Sequence, residues 1–272
     1  MVAETEQPRS TWHRPTTFYD HRVKWGIYVA LAAFLAWSLW GILAGVGLSR
    51  FTEGLGYGVT LLQTMYPPRT EAGDLVRLGD RLLESVAMAM VATAIGVTIS
   101  IPVAFGAAQN LVSRPIYLLS RAIISISRAI DGLIVAIIAV MAFGFGPLAG
   151  IIAISFKTVG FFSKLLSEDV EDINMGSIES VESTGASRFQ TLVYGVVPQI
   201  VPRFVGLTVY RWDINIRASA IIGIVGAGGI GQLLMTAYSR YEFDYVASIL
   251  LGIILVVLLA EYVSAVVRRR VQ

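Results

Sequence analysis

The sequence predicts an all-α, polytopic integral membrane protein with about six transmembrane helices. Hydrophobic residues fill 55% of its 272 positions and charged residues only 15%, against about 25% charged in an ordinary soluble domain. Mean hydropathy is +0.69. Uncharged stretches recur that can cross a hydrocarbon core of about 30 Å, which takes about 20 helical residues at 1.5 Å of rise each.

The chain opens on a mixed-charge stretch, residues 1–24, without a small-residue cleavage site before the first apolar run, so it reads as a retained tail. Residues 25–49 carry no acid and no base and form the first span. Residues 50–81 mix Arg, Glu, Asp and Gly with Pro67 and Pro68, which suits a water-facing connection with room for a short interfacial helix. Residues 85–113 are the second span, in which neighbouring helices compensate for Pro102. A third span runs from Pro115 to Phe143, interrupted by Arg121, Arg128 and Asp131, and the Gly144-Phe145-Gly146-Pro147 turn leads into a fourth, 148–166, containing Lys157.

Residues 167–190 then turn acidic and polar, with Glu168, Asp169, Glu171, Asp172, Glu179 and Glu182, and must face water or a protein partner. The fifth span covers 192–224, with Arg203, Arg211, Asp213 and Arg217 inside it, and the sixth covers 245–267. Arg9, Arg14, Arg22 and Lys24 precede the first span, Arg114 joins the second to the third, and Arg268, Arg269 and Arg270 follow the last. With six spans all three groups fall on one side, so both termini and the acidic loop are expected in the cytoplasm.

Composition also removes function classes. There is no cysteine, and the only histidines, His13 and His21, lie before the first span, so a metal-centred or cysteine-nucleophile enzyme is not expected. A net charge of +2 gives no reason to expect nucleic acid. No phosphate-binding G-x-x-x-x-G-K-[ST] loop occurs, so ATP hydrolysis by that route must come from another subunit. Gly226-Ala227-Gly228-Gly229-Ile230-Gly231 fits G-x-G-x-x-G literally. A dinucleotide site also needs a surrounding strand–helix–strand unit, whereas membrane spans flank these glycines; close backbone approach or a re-entrant turn suits them better.

The acidic loop carries the most specific pattern. Glu179-Ser180-Val181-Glu182-Ser183-Thr184-Gly185 precedes Val197-Pro198, which physically is a short amphipathic helix, a glycine that permits a turn, and a second helical piece ending at a membrane-entry proline. Such a knob can seat in a groove of another protein. Glu179, Gly185 and Pro198 stand in register with the EAA loop of ATP-binding cassette (ABC) importer permeases, with Ser180 and Val181 in place of its two alanines, Gly195 in place of isoleucine and Val197 in place of leucine.

The resemblance extends through Phe143-Gly144-Phe145-Gly146-Pro147-Leu148-Ala149-Gly150, Tyr210-Arg211-Trp212-Asp213-Ile214-Asn215-Ile216-Arg217 and the glycine cluster at 226–231. Together these are similar to the permease subunits of phosphonate and phosphate importers, although Asp131-Gly132 replaces an expected Pro-Glu pair.

The resemblance implies a division into a tail (1–24), a first helix with its outer connection (25–79), a permease domain (80–267) containing the coupling loop 167–198, and a C-terminal tail (268–272). It also implies a non-enzymatic subunit of the cell membrane without a cofactor of its own, working by alternating access. Its partners would be ABC ATPase subunits that carry ATP and magnesium, an extracytoplasmic substrate-binding protein and a second copy of the chain. Glu179, Glu182, Gly185 and Pro198 would then mark the ATPase contact. A secondary transporter or channel that uses intramembrane charges for ion coupling is the alternative, and a membrane-embedded enzyme ranks below both.

Ionisable residues inside spans cost about 2.5–3.5 kcal/mol each on insertion scales and so mark function or pairing. The candidate substrate pathway is Arg128, Asp131, Lys157, Arg203, Arg211, Asp213 and Arg217. On one continuous helix Arg121, Arg128 and Asp131 would share a face, and Asp213 and Arg217 form an i,i+4 pair. Structural pairing of Arg128 with Asp131 and of Arg217 with Asp213 would leave Lys157 and Arg211 to meet substrate. Bases outnumber acids in this set, which favours a small oxyanion, phosphate or a phosphonate, as the species carried.

Overall fold

A computed structural model describes residues 21–46 and 48–271 as eleven helices joined by short turns. The basic residues Arg9 and Arg14 and the histidine His13 lie outside the described residues. Two compact units divide the chain at Leu62 and Gln63.

In the first unit, α1 (His21–Val46) is apolar all round, with Trp25, Trp37 and Trp40 exposed, as suits a helix surrounded by lipid. After it comes α2 (Leu48–Thr64), an amphipathic helix of 17 residues. The connection expected at 50–81 is therefore largely helical.

The second unit holds α3 (Ala72–Gly106), α4 (Arg114–Ala129), α5 (Gly132–Phe143), α6 (Pro147–Glu171), α7 (Met175–Glu182), α8 (Arg188–Thr191), a π turn at Leu192–Val196, α9 (Val197–Gly223), α10 (Gly229–Ser239) and α11 (Phe243–Val271). Among the described residues five helices are long and apolar enough to cross a membrane, and α4 with α5 supplies a sixth span broken by an 88° bend. Six spans agree with the sequence reading, but the third is not one helix. The second begins at Ala72, earlier than the uncharged stretch, so the boundary drawn at 79/80 falls inside α3; Pro102 lies within the helix without ending it.

α3 and α6 form the centre. Ser155 Oγ donates to Ala92 O (3.2 Å) and Ser163 Oγ to Ser100 O (3.2 Å), and this constant offset means that the two helices run parallel. Close approach is possible because the contact is made of small residues: Ala92, Gly96, Ser100 and Ala104 on one side, Ser155, Ser163 and Ser167 on the other, all buried. A Cβ on Gly96 would lie 2.6 Å from Thr158 Cβ. Lipid tails are as apolar as leucine, so such packing and interhelical hydrogen bonds hold membrane helices together.

α9 runs antiparallel to α6, as Arg211–Thr158 and Arg203–Asp169 contacts require, and α11 runs parallel to α3, with Leu78 and Leu82 against Gly252. The start of α4, the end of α6, α7 and the end of α11 thus share one end of the bundle. At the other end Gly146 N donates to Gly226 O (3.0 Å), joining the turn before α6 to the turn before α10.

Candidate functional site

The acidic loop folds as two short helices at the base of α9. Asn174 caps α7 by accepting from Gly176 N (2.9 Å), and Ser187 with Gln190 forms a capping box on α8. Gly185 turns the chain at φ +81°, which suits glycine because an L side chain there clashes with the backbone. α7 is anchored by Ile178, which is buried against Val196 and Ile200 in a cluster with Phe162, Leu166 and Val170. Gln199 fastens the loop to α9: its Oε1 accepts from Asn174 N (2.9 Å) and its Nε2 donates to Gly195 O (2.7 Å). Glu179, Glu182, Gly185 and Pro198 are all exposed. Ser180, Thr184, Gly185, Gln190 and Tyr194 line a concave surface beside them. A rigidly held polar knob with an open concave face is the result.

Deeper in the bundle a buried polar layer joins three helices. Thr158 Oγ1 on α6 accepts from Arg211 Nε (3.1 Å) and from Asn215 Nδ2 (3.1 Å) on α9, and Asn215 Nδ2 also reaches Thr93 Oγ1 (2.8 Å) on α3. Arg211 is 5% exposed and its guanidinium lies 4.9 Å from the centre of the Phe161 ring, a cation–π contact. Arg211 is therefore engaged by a hydroxyl and a ring, within the protein interior. Asp213 and Arg217 form the predicted i,i+4 pair at 2.5 Å, while Asp213 Oδ1 and Asn215 Oδ1 meet no donor among the described residues.

The α4–α5 break places three candidates together. Asp131 is not on the face of Arg121 and Arg128, because α4 ends at Ala129; instead its carboxylate caps α5, accepting from Leu133 N (2.8 Å). Lys157 Nζ donates to Arg128 O (3.2 Å) and Ile130 O (3.0 Å), placing a cation on the last carbonyls of α4. Ser127 Oγ donates to Phe156 O (2.6 Å) and accepts from Gly160 N (3.0 Å), tying the same turn to α6. The expected Arg128–Asp131 pair does not form among the described residues; Arg128 is exposed.

Other bases are already matched. Arg121 pairs with Glu171 (3.0 Å) and Lys164 with Glu168 (2.5 Å). Arg203, a candidate for the substrate pathway, pairs with Asp169 (2.6 Å).

At the opposite end, Gly226, Gly228 and Gly229 take positive φ values of 91°, 83° and 68°, making a tight turn between α9 and α10, where the sequence suggests close backbone approach or a re-entrant turn. A Cβ on Gly228 would come within 2.7 Å of Pro147 N. Glu84 and Ser85 of α3 accept from Gly229 N (3.2 Å) and Ile230 N (2.8 Å), satisfying the start of α10. Nearby, Arg69 bonds Asp244 (3.0 Å) and Asp74 (3.5 Å), which raises its pKa further.

Sequence reasoning did not single out Thr158, Thr93, Asn174, Gln199 or Glu84. Threonine in an apolar run is an ordinary membrane residue, and Glu84 sits just before the uncharged stretch. Asn215 and Gln199, side-chain amides inside the fifth span, carried a usable signal.

The profile of the family described as "Binding-protein-dependent transport system inner membrane component" matches residues 98–272. The chain is 39% identical over 213 residues to the phosphate-import permease protein PhnE of Mycolicibacterium smegmatis, covering 78% of this chain and 40% of that relative. It is 38% identical over 189 residues to the phosphite transport system permease protein PtxC of Stutzerimonas stutzeri, covering 69% of each chain. Among solved structures, a chain of the MetNI methionine ABC transporter in an inward-facing conformation superposes with a TM-score of 0.66 at 22% identity, over 75% of this chain and all of that one, which shows a shared fold.

Proposed function

The chain belongs to the family of binding-protein-dependent transport system inner membrane components, and from that premise we propose that it is the permease subunit of an ABC importer for a phosphorus oxyanion. The observation that carries this reading is the α7–Gly185–α8 knob. It is stapled to α9 through Gln199 and Ile178, so a push on the knob is delivered to the helix that bears Arg211, Asp213 and Arg217. A flexible loop could not transmit such a push.

ABC ATPase subunits holding ATP and magnesium supply the push, and an extracytoplasmic binding protein delivers substrate at the end where the 226–229 turn lies. Two ATPases need two knobs and this chain has one, so the default partner is a second copy. In this reading the α7 end faces the cytoplasm, and the basic residues that flank the spans in the sequence favour the same compartment for both termini.

Phosphate, phosphite and phosphonates share tetrahedral anionic oxygens, and relatives named for phosphate and phosphite import support that class. The test is reconstitution. Vesicles containing the chain, the ATPase and the binding protein should accumulate labelled phosphate, phosphite or methylphosphonate only with internal ATP available to the ATPase. Uptake by the chain alone, driven by an ion gradient, would identify a secondary transporter instead.

A further inference from the structure

Resting on that reading, we propose that Arg128, at the α4–α5 break, is the residue that receives the oxyanion midway across the membrane. The exposed face of α4 has two different flanks. One carries Ile116, Leu119, Ile123 and Ile126; two of these, Ile123 and Ile126, line an apolar groove with Ile95 and Ile99 of α3 and Ile151 and Ile152 of α6, as lipid contact demands. The other carries Arg121, Ser125 and Arg128, at i, i+4 and i+7. A charged flank opposite a lipid groove must meet water or protein.

Depth follows from the contacts of Lys157. It stands ten residues after Pro147 in a 25-residue helix, about 15 Å along the axis. Its Nζ reaches Arg128 O and Ile130 O, so the break lies level with the middle of α6. Broken helices at mid-depth are tolerated where they line a cavity, and such sites are where transporters hold their substrates.

Elimination singles out Arg128. Toward the α7 end, Arg121, Lys164 and Arg203 are paired with Glu171, Glu168 and Asp169. Inward, Arg211 is held by Thr158 and Phe161, and Lys157 by carbonyls. Asp131, the nearest acid in sequence, accepts from Leu133 N. Of these bases Arg128 alone is exposed and forms no ion pair among the described residues. Its planar fork matches two oxygens of a tetrahedral anion. Lys157 adds positive charge behind it.

The chain has no cysteine, so Arg128→Cys introduces the only thiol of this subunit. In the reconstituted importer that thiol should react with the water-soluble anion methanethiosulfonate ethylsulfonate, followed by the mass of this subunit; Ser125→Cys, one turn away on the same flank with Arg128 kept, should react too, and during ATP-driven cycling its reaction should slow at least threefold when phosphite or phosphate is supplied. Ile126→Cys, on the apolar flank, should react at least tenfold more slowly. Uptake should fall at least tenfold in Arg128→Gln and less in Arg128→Lys, which keeps the charge but loses the fork, with assembly of each verified by co-purification. If Arg128→Gln assembles and transports within twofold of the unaltered importer, or if Arg128→Cys is inert, or if Ser125→Cys is unaffected by every oxyanion supplied, the assignment is overturned while the importer reading stands. Absence of phosphorus-oxyanion uptake by the unaltered importer overturns both.

Discussion

At the scale of single residues, the charges inside the spans divide by whether a neighbour answers them, which sequence spacing alone does not reveal. Arg211 and Lys157 have no acid nearby in sequence, yet both are engaged, one by Thr158 and Phe161 and the other by the carbonyls that end α4. Thr158 is the hinge of this logic because one hydroxyl oxygen accepts from both Arg211 and Asn215. Thr158→Val keeps the shape and removes the acceptor, leaving two buried donors short of a partner. We expect a loss of about 1–3 kcal/mol, read as an earlier thermal transition of the purified protein by fluorescence-detected size exclusion. Ser125→Ala, at an exposed position bonded only to Arg121 O of its own helix, should shift the same transition by less than about 0.5 kcal/mol. Gly96→Leu should disrupt folding outright, since even a Cβ there lies 2.6 Å from Thr158 Cβ on the parallel helix.

At the scale of elements, the broken span and the loop helices are both held by caps. Asp131 caps α5 while Lys157 closes α4, so each half-helix ends on the charge that its dipole favours. Lys157→Met should release the α4 end without unfolding the bundle; amide exchange across 130–135 should rise about tenfold while α6 stays protected. In the loop, Gly185→Ala places a side chain at φ +81° and should cost about 1 kcal/mol. Glu179→Lys together with Gly185→Arg reverses a charge and adds bulk on the exposed face of the knob. ATPase co-purification and transport-coupled hydrolysis should both be lost while the permease itself stays folded; retention of both would remove α7 from the ATPase contact.

At the scale of the whole molecule, one knob per chain and two ATPases per importer call for a paired permease. Native mass measurement of the complex should give two copies of this chain with two ATPases, and a second, different permease subunit in the complex would contradict that count. The apolar groove between α3, α4 and α6 has a volume of about 570 Å³ and an almost wholly apolar lining, so lipid suits it better than substrate.

What the sequence determined by itself was set by the solvent. Long uncharged runs such as 25–49 and 245–267 have to be helical in a membrane, because every backbone N–H and C=O must be satisfied within the segment; the six spans, the acidic loop and the glycine turn at 226–229 were legible for that reason. The start of α3 at Ala72 was not, since its first turns carry Asp74, Arg77, Asp80 and Arg81 and hydropathy alone rejects them. Nor was the 88° break after Ala129, which depends on Lys157 arriving from another helix to take the freed carbonyls. Pairing of charges is likewise a tertiary property: Arg121 meets Glu171 fifty residues away, and Arg203 meets Asp169 from an antiparallel helix. Sequence spacing reports neighbours along one helix, and in this bundle it was the packing of α4 and α9 against α6 that decided which charges are matched and left Arg128 exposed.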